Sequence, residues 1–180
     1  MARSLKPYGP GTATFSPCKT WRYTLSRDLR GYPRPSELFP LRGILLAIGL
    51  NPSTATDNDD DPTIHKESKW AIDWGYGEYW KANAYGFRAT EPDDMFAARD
   101  RGIDIVGPHN DAAIKKLIAR VRCEGGRVLA GWGRHIDDER QRKLAALLDG
   151  VEVVCCAVNK NGSPAHPLYK KPATLPWVCP

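Results

Sequence analysis

The sequence predicts an α/β protein, a three-layer α/β/α sandwich around a central, mostly parallel, four-stranded sheet. Three observations carry that expectation. The run GILLAIGL at residues 43–50 is apolar throughout and bounded by turn residues, as in a strand buried on both faces. Strand-like and helix-like segments then alternate, the pattern of helices packed on a parallel sheet. Each central strand also runs into a polar loop, and in such sheets ligands bind beyond the C-terminal ends of the strands.

Taken in order, residues 1–20 are rich in Pro, Gly and Ser and read as a loosely packed arm, with residues 21–180 forming a single α/β domain. TWRYTLSRDL (20–29) alternates as an edge strand does, and the prolines of GYPRPSELFP (31–40) make it a loop. After the central run, PTIHKESKWAIDWG (62–75) opens on Pro and closes on Gly, as a helix should. EYWKANAY (78–85) is the second central strand, followed by the loop GFRATEPDD and a short helix over 94–102. GPHNDAAIKKLIARVRCEGG (107–126) is an amphipathic helix, RVLAGWG (127–133) the third strand, HIDDERQRKLAALLDG (135–150) a helix and VEVVCCAV (151–158) the fourth strand. The tail from 159 is rich in loop residues.

A chain of 180 residues is long enough for one well-filled core and short for two. With 42% hydrophobic and 26% charged residues, it has an ordinary globular composition. No apolar run approaches the roughly 18 residues of a membrane span, and no apolar segment follows the basic start, so a cytoplasmic protein without membrane contact is expected. The five cysteines form no CxxC pair and no zinc spacing, Cys155 and Cys156 read as core residues, and no cofactor or metal is expected. The net charge of +5 is compatible with a polyanionic partner. Against that basic background stands the acidic stretch DNDDD at 57–61.

If the sheet is parallel, GLNPS, NAYGFRA, GWGRH and GSPAHPLY lie along one edge, and Asn51, Asn83 and His166 face one pocket. Each has a plainer explanation. Asn51 before Pro52 suits a turn, Asn83 would serve as a structural amide if paired, and a loop histidine is often only exposed. Their joint occurrence at strand ends is what points to a site.

The motifs GLNPSTA, DDPTI, NAYGFRAT, GPHNDAAI and GSPAHPLY, spread over about residues 21–170, resemble those of the bacterial and phage family described as domain of unknown function 1643. More distantly, their order is similar to the uracil-DNA glycosylase superfamily, in which a strand ends in Gly-x-Asp/Asn-Pro, another supplies a base-reading Asn, and the last motif contains His-Pro. The resemblance implies a uracil-DNA glycosylase-like fold and a monofunctional DNA glycosylase acting on a flipped base. Asn51 would orient the water, His166 would donate to the base or a flanking phosphate, and Asn83 would read the base edge. Gly49, Leu50, Pro52 and Ser53 would line the substrate site. Leu168 stands where the uracil enzymes carry Ser after His-Pro, so a non-standard pyrimidine is expected, of the hypermodified phage type if the role is defence and a damaged one if it is repair.

Asp60 and Asp61 are an alternative water activator or partners for polar substituents of the base, while Asp57 and Asp59 suit a solvated loop and cap. Tyr76, then Trp74, is the expected aromatic platform for the base, unless both simply close the helix and pack in the core. Arg88, Arg134 and Lys170 fall on the edge loops as phosphate contacts, and Leu168 and Tyr169 are candidates for a wedge. DNA is the expected partner of a monomeric protein. The alternatives are a catalytically inactive reader of modified DNA, a hydrolase or transferase acting on a free nucleotide or on a base modification, and a carboxylate-metal enzyme using Asp57 to Asp61.

Overall fold

A computed structural model describes residues 5–33, 40–53 and 55–180. Residues 34–39, within the expected 31–40 loop, lie outside the described residues.

The elements are, in order, β1 (Ala13–Phe15), β2 (Arg22–Asp28), β3 (Arg42–Gly49), α1 (Pro62–Asp73), β4 (Tyr76–Asn83), α2 (Pro92–Asp100), α3 (Asn110–Glu124), β5 (Arg127–Ala130), α4 (Asp138–Leu147), β6 (Val153–Cys155) and β7 (Leu175–Pro176), with a 3₁₀ turn at Pro167–Tyr169. The strands form one sheet in the order β1-β2-β4-β3-β5-β6-β7. Its centre is the expected parallel set, β4-β3-β5-β6. The sheet is larger than the central four strands: the segment expected as an edge strand is β2, paired antiparallel with β4 but covered in turn by β1, and β7 extends the other edge. β1 spans three residues and β7 two, too few to set up a periodic signal. Pro176 is tolerated because β7 sits at the edge of the sheet.

β3 is the middle strand of the sheet, with Ile44 through Ile48 fully buried. Ile44, Leu46 and Ile48 pack with Met95 and Ala98 of α2, Ile114, Leu117 and Ile118 of α3 and Leu144 of α4. Leu45 and Ala47 face the other way, into a core built with Ile64, Trp70, Ala71 and Ile72 of α1. The protein is thus three-layered, with α1 alone on one face. Cys155 and Cys156 are buried, one in each core.

The N-terminal arm is anchored rather than loosely packed. Leu5 and Asp60 exchange backbone hydrogen bonds of 2.9 and 3.0 Å, and Tyr8 stacks on His65 with ring centroids 4.3 Å apart. Gly9 lies so close to β2 that a Cβ would sit 2.1 Å from the Asp28 carbonyl oxygen. Among the described residues, no helix is long and apolar enough to cross a membrane.

Candidate active site at the C-terminal edge of the sheet

The parallel register brings Gly49 of β3 opposite Asn83 of β4. Beyond it the strands stay paired, with Ala84 N–H donating to Gly49 O and Tyr85 N–H to Leu50 O, both at 2.8 Å. From α3, Asn110 donates to the Asn83 carbonyl at 2.9 Å, and Arg140 of α4 donates through Nε to the Ala84 carbonyl at 2.6 Å. The GPHNDAAI motif therefore fixes the end of the strand that carries Asn83.

On β4 the side chains of Tyr79, Lys81 and Asn83 recur every second residue and share the α1 face. Glu67 of α1 meets them there. Its carboxylate accepts from Tyr79 Oη at 2.5 Å and from Lys81 Nζ at 2.8 and 2.9 Å, with Glu67 and Lys81 both buried. Burial, then the Glu67 carboxylate, holds the Tyr79 phenol well above its ordinary pKa. Asn83 is 1% exposed, and neither atom of its amide has a partner among the described residues. Gly49 completes this floor: a Cβ there would lie 2.9 Å from Asn83 Oδ1 and 3.0 Å from Lys81 Nζ, so a larger residue would displace both groups.

Asn51 begins the loop above. Its Nδ2 donates to the Ala89 carbonyl at 2.8 Å and to the Pro52 carbonyl at 3.3 Å. Two carbonyl acceptors fix the orientation of the amide. Its Oδ1 has no protein donor among the described residues and is left to accept from a ligand or water. Leu50 and Pro52 are buried beneath the loop, and Ser53 Oγ donates to Asp61 Oδ2 at 2.5 Å. Asp61 Oδ1 accepts from the backbone N–H of Thr63 and Ile64 at 2.9 and 2.8 Å, so Asp61 caps α1 and ties the Asn51 loop to it. Both its oxygens are engaged, which disfavours it as a water activator. Asp60 is 1% exposed, and its Oδ1 accepts from Arg27 Nε at 2.9 Å and Nη2 at 2.6 Å. Desolvation raises its pKa in spite of that pairing. The pairing gives Asp60 a part in packing the loop.

His166 reaches the same edge from the tail. The Pro164 carbonyl accepts from Gly133 N–H at 2.9 Å, Ala165 N–H donates to Ala157 O at 2.7 Å, and Pro167 lies over Gly131, where a Cβ would sit 2.8 Å from the proline ring. Lys66 of α1 clamps the loop by donating to the Leu168 and Lys170 carbonyls, each at 2.7 Å. His166 Nδ1 accepts from Leu168 N–H at 3.3 Å, which leaves the proton of the neutral ring on Nε2. Although part of the residue is exposed, desolvation lowers its pKa, followed by the Lys81 ammonium, with Glu67 and Asp61 acting in opposition.

Arg88 stacks its guanidinium on Phe15 with its carbon 5.1 Å from the ring centroid, and lines an open cleft of about 380 Å³ with Lys19, Thr20, Ser53, Phe87 and Thr90. That cleft meets the site at Ser53, not at Asn83. Arg134 and Lys170 are exposed on the edge loops, and Tyr169 is 88% exposed. Tyr76 is not brought to this edge. It pairs with Arg42 at the opposite end of β4, is 2% exposed and packs in the α1 core, while Trp74 caps the C-terminus of α1. The expected aromatic platform is therefore misplaced, because the Gly75 turn leads into a strand at its N-terminal end. Lys81, Glu67, Lys66 and Asn110 were not expected at the site. For Lys81 the available signal was a charged residue at strand spacing from Asn83. Among the described residues, no group of three or more His, Cys, Asp or Glu is placed to hold a metal ion.

Fold and edge together define a three-layer α/β protein with Asn83 at the end of β4, Asn51 in the loop after β3 and His166 in the tail, all at the C-terminal edge of its parallel strands. A family model described as a protein of unknown function, DUF1643, matches residues 22–168, and the chain belongs to that family. No curated protein and no solved structure matches it.

Proposed function

We propose that the protein is a monofunctional DNA glycosylase, related in fold to the uracil-DNA glycosylases, that hydrolyses the N-glycosidic bond of a modified pyrimidine and leaves an abasic site. The observation that carries this is Asn83, a buried amide with both polar atoms unpartnered, on the same sheet edge as Asn51 and His166. A buried amide without partners is costly, and a base edge would satisfy both its donor and its acceptor.

The chemistry needs a placed water and a stabilised leaving group. Asn51 Oδ1 accepts from a water below the anomeric carbon, and the Ala89 and Pro52 carbonyls hold the amide in that sense. His166 Nε2–H donates to a carbonyl oxygen of the base as charge accumulates there. Asn83 reads the polar edge. The nucleotide leaves the stack to reach them, at a cost of about a few kcal/mol, and Tyr169, which is exposed, fills the gap. Arg88, Arg134 and Lys170 contact phosphates around the mouth of the site and position DNA without reading its sequence. A phage-type hypermodified pyrimidine would make the role defensive.

The test is incubation, in chelator, with DNA carrying uracil, ordinary bases and hydroxymethylated or glucosylated pyrimidines, followed by alkali. Strand breaks on one substrate that vanish with Asn51→Ala and with Asn83→Ala are expected. Intact DNA with retained binding would instead favour a reader of modified bases.

A further inference from the structure

Asn83 is not alone at the floor of the site. Lys81 is 5% exposed on the same face of the same strand, and its Nζ lies 3.0 Å from the point that a Gly49 Cβ would occupy, beside Asn83 Oδ1 at 2.9 Å from that point. An ammonium carries three N–H groups. Lys81 bonds the two Glu67 oxygens at 2.9 and 2.8 Å, and the remaining N–H has no acceptor among the described residues. A buried ion pair is not needed for stability, since apolar residues of similar volume commonly do as well or better. The neighbouring positions on this face are apolar: Leu45, Ala47 and Leu129. The pair nevertheless stands beside the unpartnered amide, and Gly49 leaves the room that the ends of both side chains occupy.

We propose that Lys81 is the anion-binding group of the site, its free N–H contacting the ligand beside Asn83 and taking up the negative charge of the departing base. This rests on the glycosylase reading. When the C1′–N bond breaks, both of its electrons stay on the base. Water adds its oxygen to C1′ and gives up one proton, which ends on the base nitrogen or in solvent. Lys81 stays protonated throughout and contributes a charged hydrogen bond, the stronger kind. Glu67 makes its burial tolerable.

The experiment uses the full chain with two free pyrimidines: 5-nitrouracil, an anion at neutral pH, and uracil, which is neutral there. Calorimetry on the wild type is expected to give binding about tenfold or more tighter for 5-nitrouracil. The preference should vanish in Lys81→Met. Because that variant strands the Glu67 carboxylate, Glu67→Gln/Lys81→Met, which removes both charges, is measured as well. Equal binding of the two compounds by the wild type, no binding of 5-nitrouracil, or a preference that survives in the double variant would overturn the assignment. Single-turnover base release separates the two claims. A loss of about a hundredfold to a thousandfold in the double variant supports both, and undiminished release overturns the role of Lys81 while leaving the glycosylase standing. Anion preference that depends on Lys81, with no abasic product from any DNA, sustains the anion site and removes the glycosylase.

Discussion

Asn83 and His166 hold opposite lessons about single residues. The amide is buried without partners, so replacing it with an apolar residue of similar size removes an unsatisfied group worth about 1–3 kcal/mol. Asn83→Leu is therefore expected to keep or raise the urea midpoint while abolishing base release; a large loss of stability would mean that the amide is structural after all. His166 is set to be neutral. Its folded pKa is depressed, so the neutral form is favoured in the fold, and the stability linked to it is present above the ordinary histidine value of about 6.5 and lost as pH falls through the folded one. Protonation of Nδ1 breaks the bond from Leu168 N–H that orients the ring, so base release should stay level as pH drops through about 6.5 and decline only below it, and His166→Gln should erase that acid limb from the rate–pH profile. Both residues were legible from sequence because each interrupts its context, a polar amide at the end of an apolar strand and a histidine between prolines. Lys81 was not, since a lysine within a strand ordinarily signals a solvated face, and its partner Glu67 lies on a helix whose facing cannot be read until the fold is known.

The elements of the fold act as clamps on these residues. Asp61 ends the Asn51 loop as the cap of α1, and a cap is worth about 0.5–2 kcal/mol. Asp61→Asn, which retains a capping oxygen, should keep most stability and base release, whereas Asp61→Ala should lower the unfolding free energy by about that amount; a collapse of rate in Asp61→Asn at full stability would make the carboxylate a base. Lys66 ties the His166 loop to α1 through the Leu168 and Lys170 carbonyls. Lys66→Met should release that loop and slow base release by about ten- to a hundredfold, since small misplacements are costly, with little effect on unfolding. The central strands and the helices were readable from runs and caps. β1 and β7 were not, because their few residues pair only once β2 and β6 offer an edge. Tyr76 takes the second of its two readings, packing in the core, for a related reason: composition marks a turn, but only topology says at which end of the sheet it falls.

Across the whole molecule, the +5 charge matters through its placement, with Arg88, Arg134 and Lys170 on the strand-end loops, and Asp60 of the acidic loop buried against Arg27 while Asp57 and Asp59 are exposed. DNA affinity should fall with salt, and replacing those three cations by Ala should reduce the slope of log K against log salt by about 2–3, at roughly 0.7–0.9 for each phosphate no longer neutralised. An unchanged slope would move the DNA path elsewhere. The most direct measurement is mass spectrometry of the products when modified DNA is treated in ¹⁸O-labelled water. Hydrolysis at the anomeric carbon predicts an intact, unlabelled free base and one ¹⁸O on the abasic deoxyribose, both absent with Asn51→Ala. Label on the base, or a base altered but still attached to DNA, would contradict a glycosylase and assign the site to chemistry on the modification itself.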